Sequence, residues 1–140
     1  MTRGRTLLTV VAGLTAAGGW AADWNRTHLF NPRWPPHAKF HDAQTIVLGT
    51  LLGGAGLCLL LRDGPDRRRD TVWGAALPGL FWAAQGASFA FPGTAGLAAE
   101  FPELVPRVGR TWIDEKFAAG TMLGLTGLGY ALERKEPAER

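Results

Sequence analysis

Four stretches without one charged residue constrain this chain more than any other feature: 7–22, 43–61, 71–99 and 117–132. A helical domain in water alternates apolar and charged faces with a 3.6-residue period. These stretches do not alternate; they are apolar all round, as lipid-facing or fully buried helices are. Four buried helices in 140 residues would leave no chain to cover them. Four transmembrane helices need no cover. A span takes about 20 mostly apolar residues, which 43–61 and 71–92 supply. The other two stretches are slightly shorter, and flanking Trp and long cationic side chains extend them to the interface. The expected fold is all-α: one domain, a four-transmembrane-helix bundle with helices at about 6–24, 36–61, 71–91 and 112–132.

The connections predict orientation, because Lys and Arg concentrate on the cytoplasmic side. The N-terminus, the 62–70 turn and the C-terminus hold nine: Arg3, Arg5, Arg62, Arg67, Arg68, Arg69, Arg134, Lys135 and Arg140. The two long loops hold six over nearly twice the length: Arg26, Arg33, Lys39, Arg107, Arg110 and Lys116. The expectation is N-in and C-in, with both long loops outside a bacterial inner or plasma membrane. Thr2 to Ala17 also has the layout of a signal peptide. Against cleavage, the apolar run continues to Ala22 and ends at an interfacial Trp24. The net charge of +3 comes from clusters at helix ends and leaves no nucleic-acid footprint. Cys58 is alone, so no intrachain disulfide or Cys-based metal site can form.

Polar chemistry concentrates between the first two apolar stretches. Residues 23–45 hold all three histidines (His28, His37, His41), both asparagines (Asn25, Asn31) and three of nine prolines. Asn31-Pro32 and Trp34-Pro35-Pro36 are turn or extended signals. A helix restarting at Pro35 or Pro36 places His37 and His41 on one face at i and i+4, about 6 Å apart. That face continues through Gln44, Thr45 and Leu48, and so is expected to point into the bundle. His37–His41 spacing suits a divalent metal, with His28 as a third ligand. Neutral imidazoles equally suit proton transfer without a metal. A third reading is structural, since Asn25, Thr27 and Asn31 can bond their own backbone in turns.

The second long loop adds carboxylates on the same side. Thr111 reads as an N-cap, with Asp114 and Glu115 in the first turn of the fourth helix. If helices two and four are neighbours, Asp114 and Glu115 meet His37 and His41 at the mouth of the bundle. The candidate catalytic groups are therefore His37, His41, Asp114 and Glu115. Candidate binding groups are Asn25, His28, Asn31, Lys39 (for an anionic group), Gln44, Trp82 and Gln85. Gly49-x-x-x-Gly53 and Gly120-x-x-x-Gly124 are small-residue faces suited to close helix packing or to a homo-oligomer. One serine, Ser88, and no glycine-rich phosphate loop leave no hydrolase triad or nucleotide motif.

The run from Asn25 to His41, followed by Gln44-Thr45, resembles the signature of an uncharacterised family of small four-helix membrane proteins of bacteria and fungi. Some fungal members carry the label acetyltransferase. The resemblance is specific over these residues and topological elsewhere. It implies a four-helix membrane protein with this segment as its hallmark and brings no established activity. The plan is also similar to other small four-helix membrane families whose bundles bind sterols, quinones or polyketide intermediates. Two functions follow from the residues: a bilayer-embedded binder or enzyme for a lipophilic small molecule, or an accessory protein whose 23–45 segment docks a partner.

Overall fold

A computed structural model describes residues 1–135, with 136–140, including Arg140 of the basic count and most of the polar tail, outside the described residues. The chain is all-α apart from one small hairpin: α1 (Arg3–Ala22), α2 (Pro36–Leu61), α3 (Arg67–Ser88) and α4 (Glu115–Lys135). Each helix packs on its sequence neighbour, α4 closes on α1, and α1 also touches α3 across the diagonal. The bundle runs up-down-up-down, so the 23–35 and 89–114 connections meet at one end. Helices α2 and α4 stand on opposite corners.

Local chemistry sets the helix ends. Thr2 caps α1 by accepting from Arg5 N (3.1 Å). Pro36 opens α2 at a position where its missing N–H costs nothing. Helix α3 starts at Arg67, four residues before the uncharged stretch, because Asp66 accepts from Arg69 N (2.9 Å) and caps it there. Thr111 is not the cap of α4. It sits in the hairpin of β1 (Arg107–Val108) and β2 (Thr111–Trp112), which turns at Gly109 with φ 59°. Asp114 is the cap, accepting from Lys116 N (3.0 Å) and Phe117 N (3.1 Å). A two-residue strand has no alternation to read, so this hairpin leaves no trace in the sequence.

Helices meet through small residues. A Cβ on Gly53 would lie 2.7 Å from Ala12 O of α1, and one on Gly56 would lie 2.8 Å from the ring of Pro78 in α3. Only glycine permits both approaches. Gly120 and Gly124, in contrast, face open space. The inward face of α2 runs Asp42, Ile46, Gly49, Gly53, Gly56, Leu60, and not through Gln44, Thr45 and Leu48, which are exposed. The buried apolar set is correspondingly light, with Leu8, Val11, Ala12, Ile46, Leu60, Ala75, Phe81, Ala119 and Met122 of the helices and Val105 of the second connection.

Large apolar side chains lie outside instead. Leu14 is 54 % exposed, Leu51 64 %, Leu80 57 % and Leu128 52 %, one on each helix. Among the described residues one helix, α2, is long and apolar enough to cross a membrane, and only 28 % of its most apolar window is buried. The expected four spans are therefore met by one helix on that measure: charged end turns lower α1 and α4, and Gly, Pro, Trp, Gln and Ser lower the uncharged part of α3.

Candidate functional site

Where the two long connections meet, they roof a cavity of about 490 Å³ sunk between the helix ends. Its floor is apolar and aromatic: Phe81 and Trp82 of α3, paired edge-on with centroids 5.3 Å apart. Leu97, Leu104, Val105 and Ile113 of the second connection supply the roof. The polar lining is one-sided. Asp23, Asp42, Asp114 and Glu115 face the cavity with one imidazole, His28, and among the described residues no Lys or Arg lines it.

A turn network built from the hallmark residues sets His28. Asn25 Oδ1 accepts from Thr27 N (2.8 Å), Thr27 Oγ1 (2.6 Å) and His28 N (3.3 Å). Asn31, fully buried, donates to Thr27 O (3.1 Å) and accepts from Arg33 N (3.0 Å). The Thr27 hydroxyl has one proton and gives it to Asn25. Towards His28 Nδ1, 2.9 Å away, it can therefore only accept. That assigns the ring proton to Nδ1 and leaves Nε2 as the basic nitrogen. His28 Nε2 stands 3.7 Å from Asp23 Oδ1, within ion-pair range but longer than a direct hydrogen bond.

Asp23 follows the last residue of α1, where the helix dipole already disfavours an anion. Burial pushes its carboxyl up to about 6; His28 opposes the rise, and Asp42 and Glu115 add to it. Asp42 Oδ2 and Glu115 Oε2 are buried and unpartnered. Glu115 Oε1 accepts from Leu97 N (2.9 Å), tying the roof to α4. Trp82 Nε1 donates to Thr15 Oγ1 (2.8 Å), whose own proton goes to Val11 O (2.8 Å). Gln85 Nε2 reaches Glu115 O at a long 3.5 Å.

The sequence-derived candidates divide into three groups. His28, Trp82, Gln85, Asp114 and Glu115 come together in the cavity. Asn25 and Asn31 form the turn that holds His28 and do not line it. His37, His41, Lys39 and Gln44 belong to the first turns of α2, outside the cavity, and both histidines are exposed. The three histidines thus share neither a loop nor a site. Among the described residues no three His, Cys, Asp or Glu side chains converge as a metal-binding group. The expected meeting of Asp114 and Glu115 with His37 and His41 is replaced by that of Glu115 with Asp23 and His28, since α1, not α2, is the neighbour of α4.

Asp23, Asp42, Thr15 and Phe81 were not singled out from sequence. A signal existed for Asp42: it lies at 3–4-residue spacing from Ile46, Gly49, Gly53 and Gly56, so phasing α2 by its glycines turns it inward. Fold and site together define a four-helix bundle with an acidic, aromatic-walled chamber at its loop end. The chain belongs to a family on the strength of residues 7–139, which match the model of the Family of unknown function (DUF6640). No curated protein and no solved structure matches it.

Proposed function

We propose that this is a membrane-embedded four-helix protein, N-in and C-in, whose loop-end cavity binds a lipophilic amine and exchanges a proton with it. The observation that carries the reading is the cavity itself, with four carboxylates, one imidazole and an aromatic wall. Its volume falls in the range of small-molecule sites. An ammonium group matches the unpartnered oxygens of Asp42 and Glu115. The rings of Phe81 and Trp82 suit a cation and its apolar body alike. An anionic ligand fits poorly, since it would add charge to an acidic chamber and find no Lys or Arg there.

Asp23 and His28 would then act as one proton-exchanging unit. A carboxyl raised to about 6 beside an imidazole with its basic nitrogen facing it is poised near neutral pH. Bilayer embedding is supported by the inside-out distribution of bulk: small residues between helices, Leu, Val and Trp outside. In water such a surface would be an aggregation liability.

The test is equilibrium binding of a fluorescent tertiary amine with an aryl-alkyl body to the purified protein in detergent micelles. The wild type should bind it saturably, and more tightly than an uncharged isostere. Glu115→Gln and Asp42→Asn should each weaken binding about 10- to 100-fold, the loss of one hydrogen bond to a charged group. Equal binding of amine and isostere, or unchanged binding in both variants, would remove the reading. Failure of either probe to bind would favour the accessory role instead.

A further inference from the structure

Outside the cavity, the first two turns of α2 hold an arrangement that the proton-exchange reading does not use. His37 Nε2 and His41 Nε2 face each other at 3.1 Å. On the far side of His41, Nδ1 is 3.3 Å from Gln44 Oε1, which can only accept. His41 therefore carries its proton on Nδ1 and presents a bare Nε2 lone pair to His37. His37 lies parallel to the Phe40 ring (interplanar angle 5°, centroids 6.1 Å apart). Both imidazoles are exposed, so a cation has an open approach.

We propose that His37 and His41 form a two-imidazole site for a borderline divalent transition metal of the Cu(II), Ni(II), Zn(II) series, independent of the cavity. Two nitrogens 3.1 Å apart, each about 2.0–2.1 Å from a shared ion, subtend roughly 95–100° at it. That angle lies between the square and tetrahedral values, so the spacing of the two nitrogens suits a shared ion once the rings turn their lone pairs from each other towards it. Gln44 supplies the carbonyl partner that metal-ligating histidines characteristically have on their other nitrogen. Binding breaks the Nε2–H···Nε2 contact. The proton on His37 Nε2 moves through solvent to its Nδ1, and both Nε2 lone pairs go to the metal. Water completes the coordination sphere. His28 is not a ligand, since its ring is held in the cavity by Thr27 and Asp23. The preference should follow the general order for nitrogen sites, with Cu(II) tightest.

The experiment is titration of untagged, chelator-stripped protein in detergent with Cu(II) and separately with Ni(II), read by calorimetry and, for Cu(II), by electron paramagnetic resonance. The expected result is one ion per chain with imidazole nitrogen couplings, Cu(II) tighter than Ni(II). His37→Ala and His41→Ala should each weaken Cu(II) binding at least about tenfold, and Gln44→Leu by about tenfold through the lost carbonyl partner. His28→Ala should leave metal affinity unchanged. These side chains are exposed, so folding is not at stake, and an unaltered thermal midpoint verifies it. No stoichiometric binding, affinity unchanged in the His37→Ala/His41→Ala double variant, or a loss on His28→Ala would each overturn the site.

Discussion

Asp23 has the most to say about pH. Its carboxyl is raised from 3.8 to about 6, chiefly by burial. A raised acid stabilises the fold when protonated: the contribution is full below about 3.8 and is lost as pH rises through about 6. Thermal unfolding in detergent should therefore give a lower midpoint at pH 8 than at pH 5, with roughly 1 kcal/mol of the difference due to this group. Asp23→Asn should flatten that dependence and raise the midpoint at pH 8; an unchanged pH profile would mean that Asp23 is not buried as described. The same residue shows the limit of reading single positions. His28 and Glu115 stand out in the sequence as polar groups flanking apolar stretches, and Trp82 and Gln85 as aromatic and polar groups inside one. Asp23 reads there as an ordinary helix terminus. Its importance comes from burial beneath the two connections, with Asp42 of α2 and Glu115 of α4 adding to it, and no local pattern announces what covers or neighbours a carboxylate across a bundle.

At the scale of elements, close approach at glycines decides stability. Gly53→Leu should force α1 from α2, and Gly56→Val should displace Pro78 of α3, each costing about 1–3 kcal/mol or more by overpacking. Gly54, with nothing within 4 Å, is the control: Gly54→Ala should be neutral or stabilising by up to about 1 kcal/mol through helix propensity. Unfolding midpoints compare them directly, and equal effects at 53 and 54 would contradict the packing. At the other end of the bundle, Arg5 is buried and donates from Nε to Leu60 O (2.6 Å), from Nη1 to Thr71 Oγ1 (3.3 Å) and from Nη2 to Leu59 O (3.4 Å). The two carbonyls belong to the last turn of α2 and lack helical partners. Arg5→Ala should lower stability by about 2 kcal/mol or more. Arg5→Lys should not restore it, because a single ammonium cannot reproduce the fork. The number and type of the helices were legible because uncharged stretches and prolines mark them. The inward phase of α2 was not, because a helix apolar all round has no moment to orient it. There the glycines hold the information, through what packs against them.

The whole molecule divides into an apolar barrel surface, a basic end and an acidic chamber at the opposite end. Arg62, Arg67, Arg68 and Arg69 crowd the α2–α3 turn, far from the cavity between the two long connections. In a membrane that asymmetry sets orientation, and the proposed topology keeps the 62–70 turn inside. A single cysteine introduced there, in a Cys58→Ala background, should resist an impermeant maleimide added to intact cells. One placed at exposed Glu103 of the second loop should react. The reverse pattern would invert the topology, and reaction at both positions would argue against spanning.

The claim on which the rest depends is that the outward Leu and Val side chains face lipid. Nitroxide labels at Leu14, Leu51, Leu80 and Leu128, one per helix and each about half exposed or more, examine it in reconstituted bilayers. Collision with dissolved oxygen, which partitions into hydrocarbon, should be high at all four, and collision with a water-soluble nickel chelate low. A label at Arg69 should show the opposite. High nickel-chelate accessibility at the four mid-helix positions would mean that water surrounds the bundle, and would contradict the embedding on which the cavity's lipophilic ligand depends.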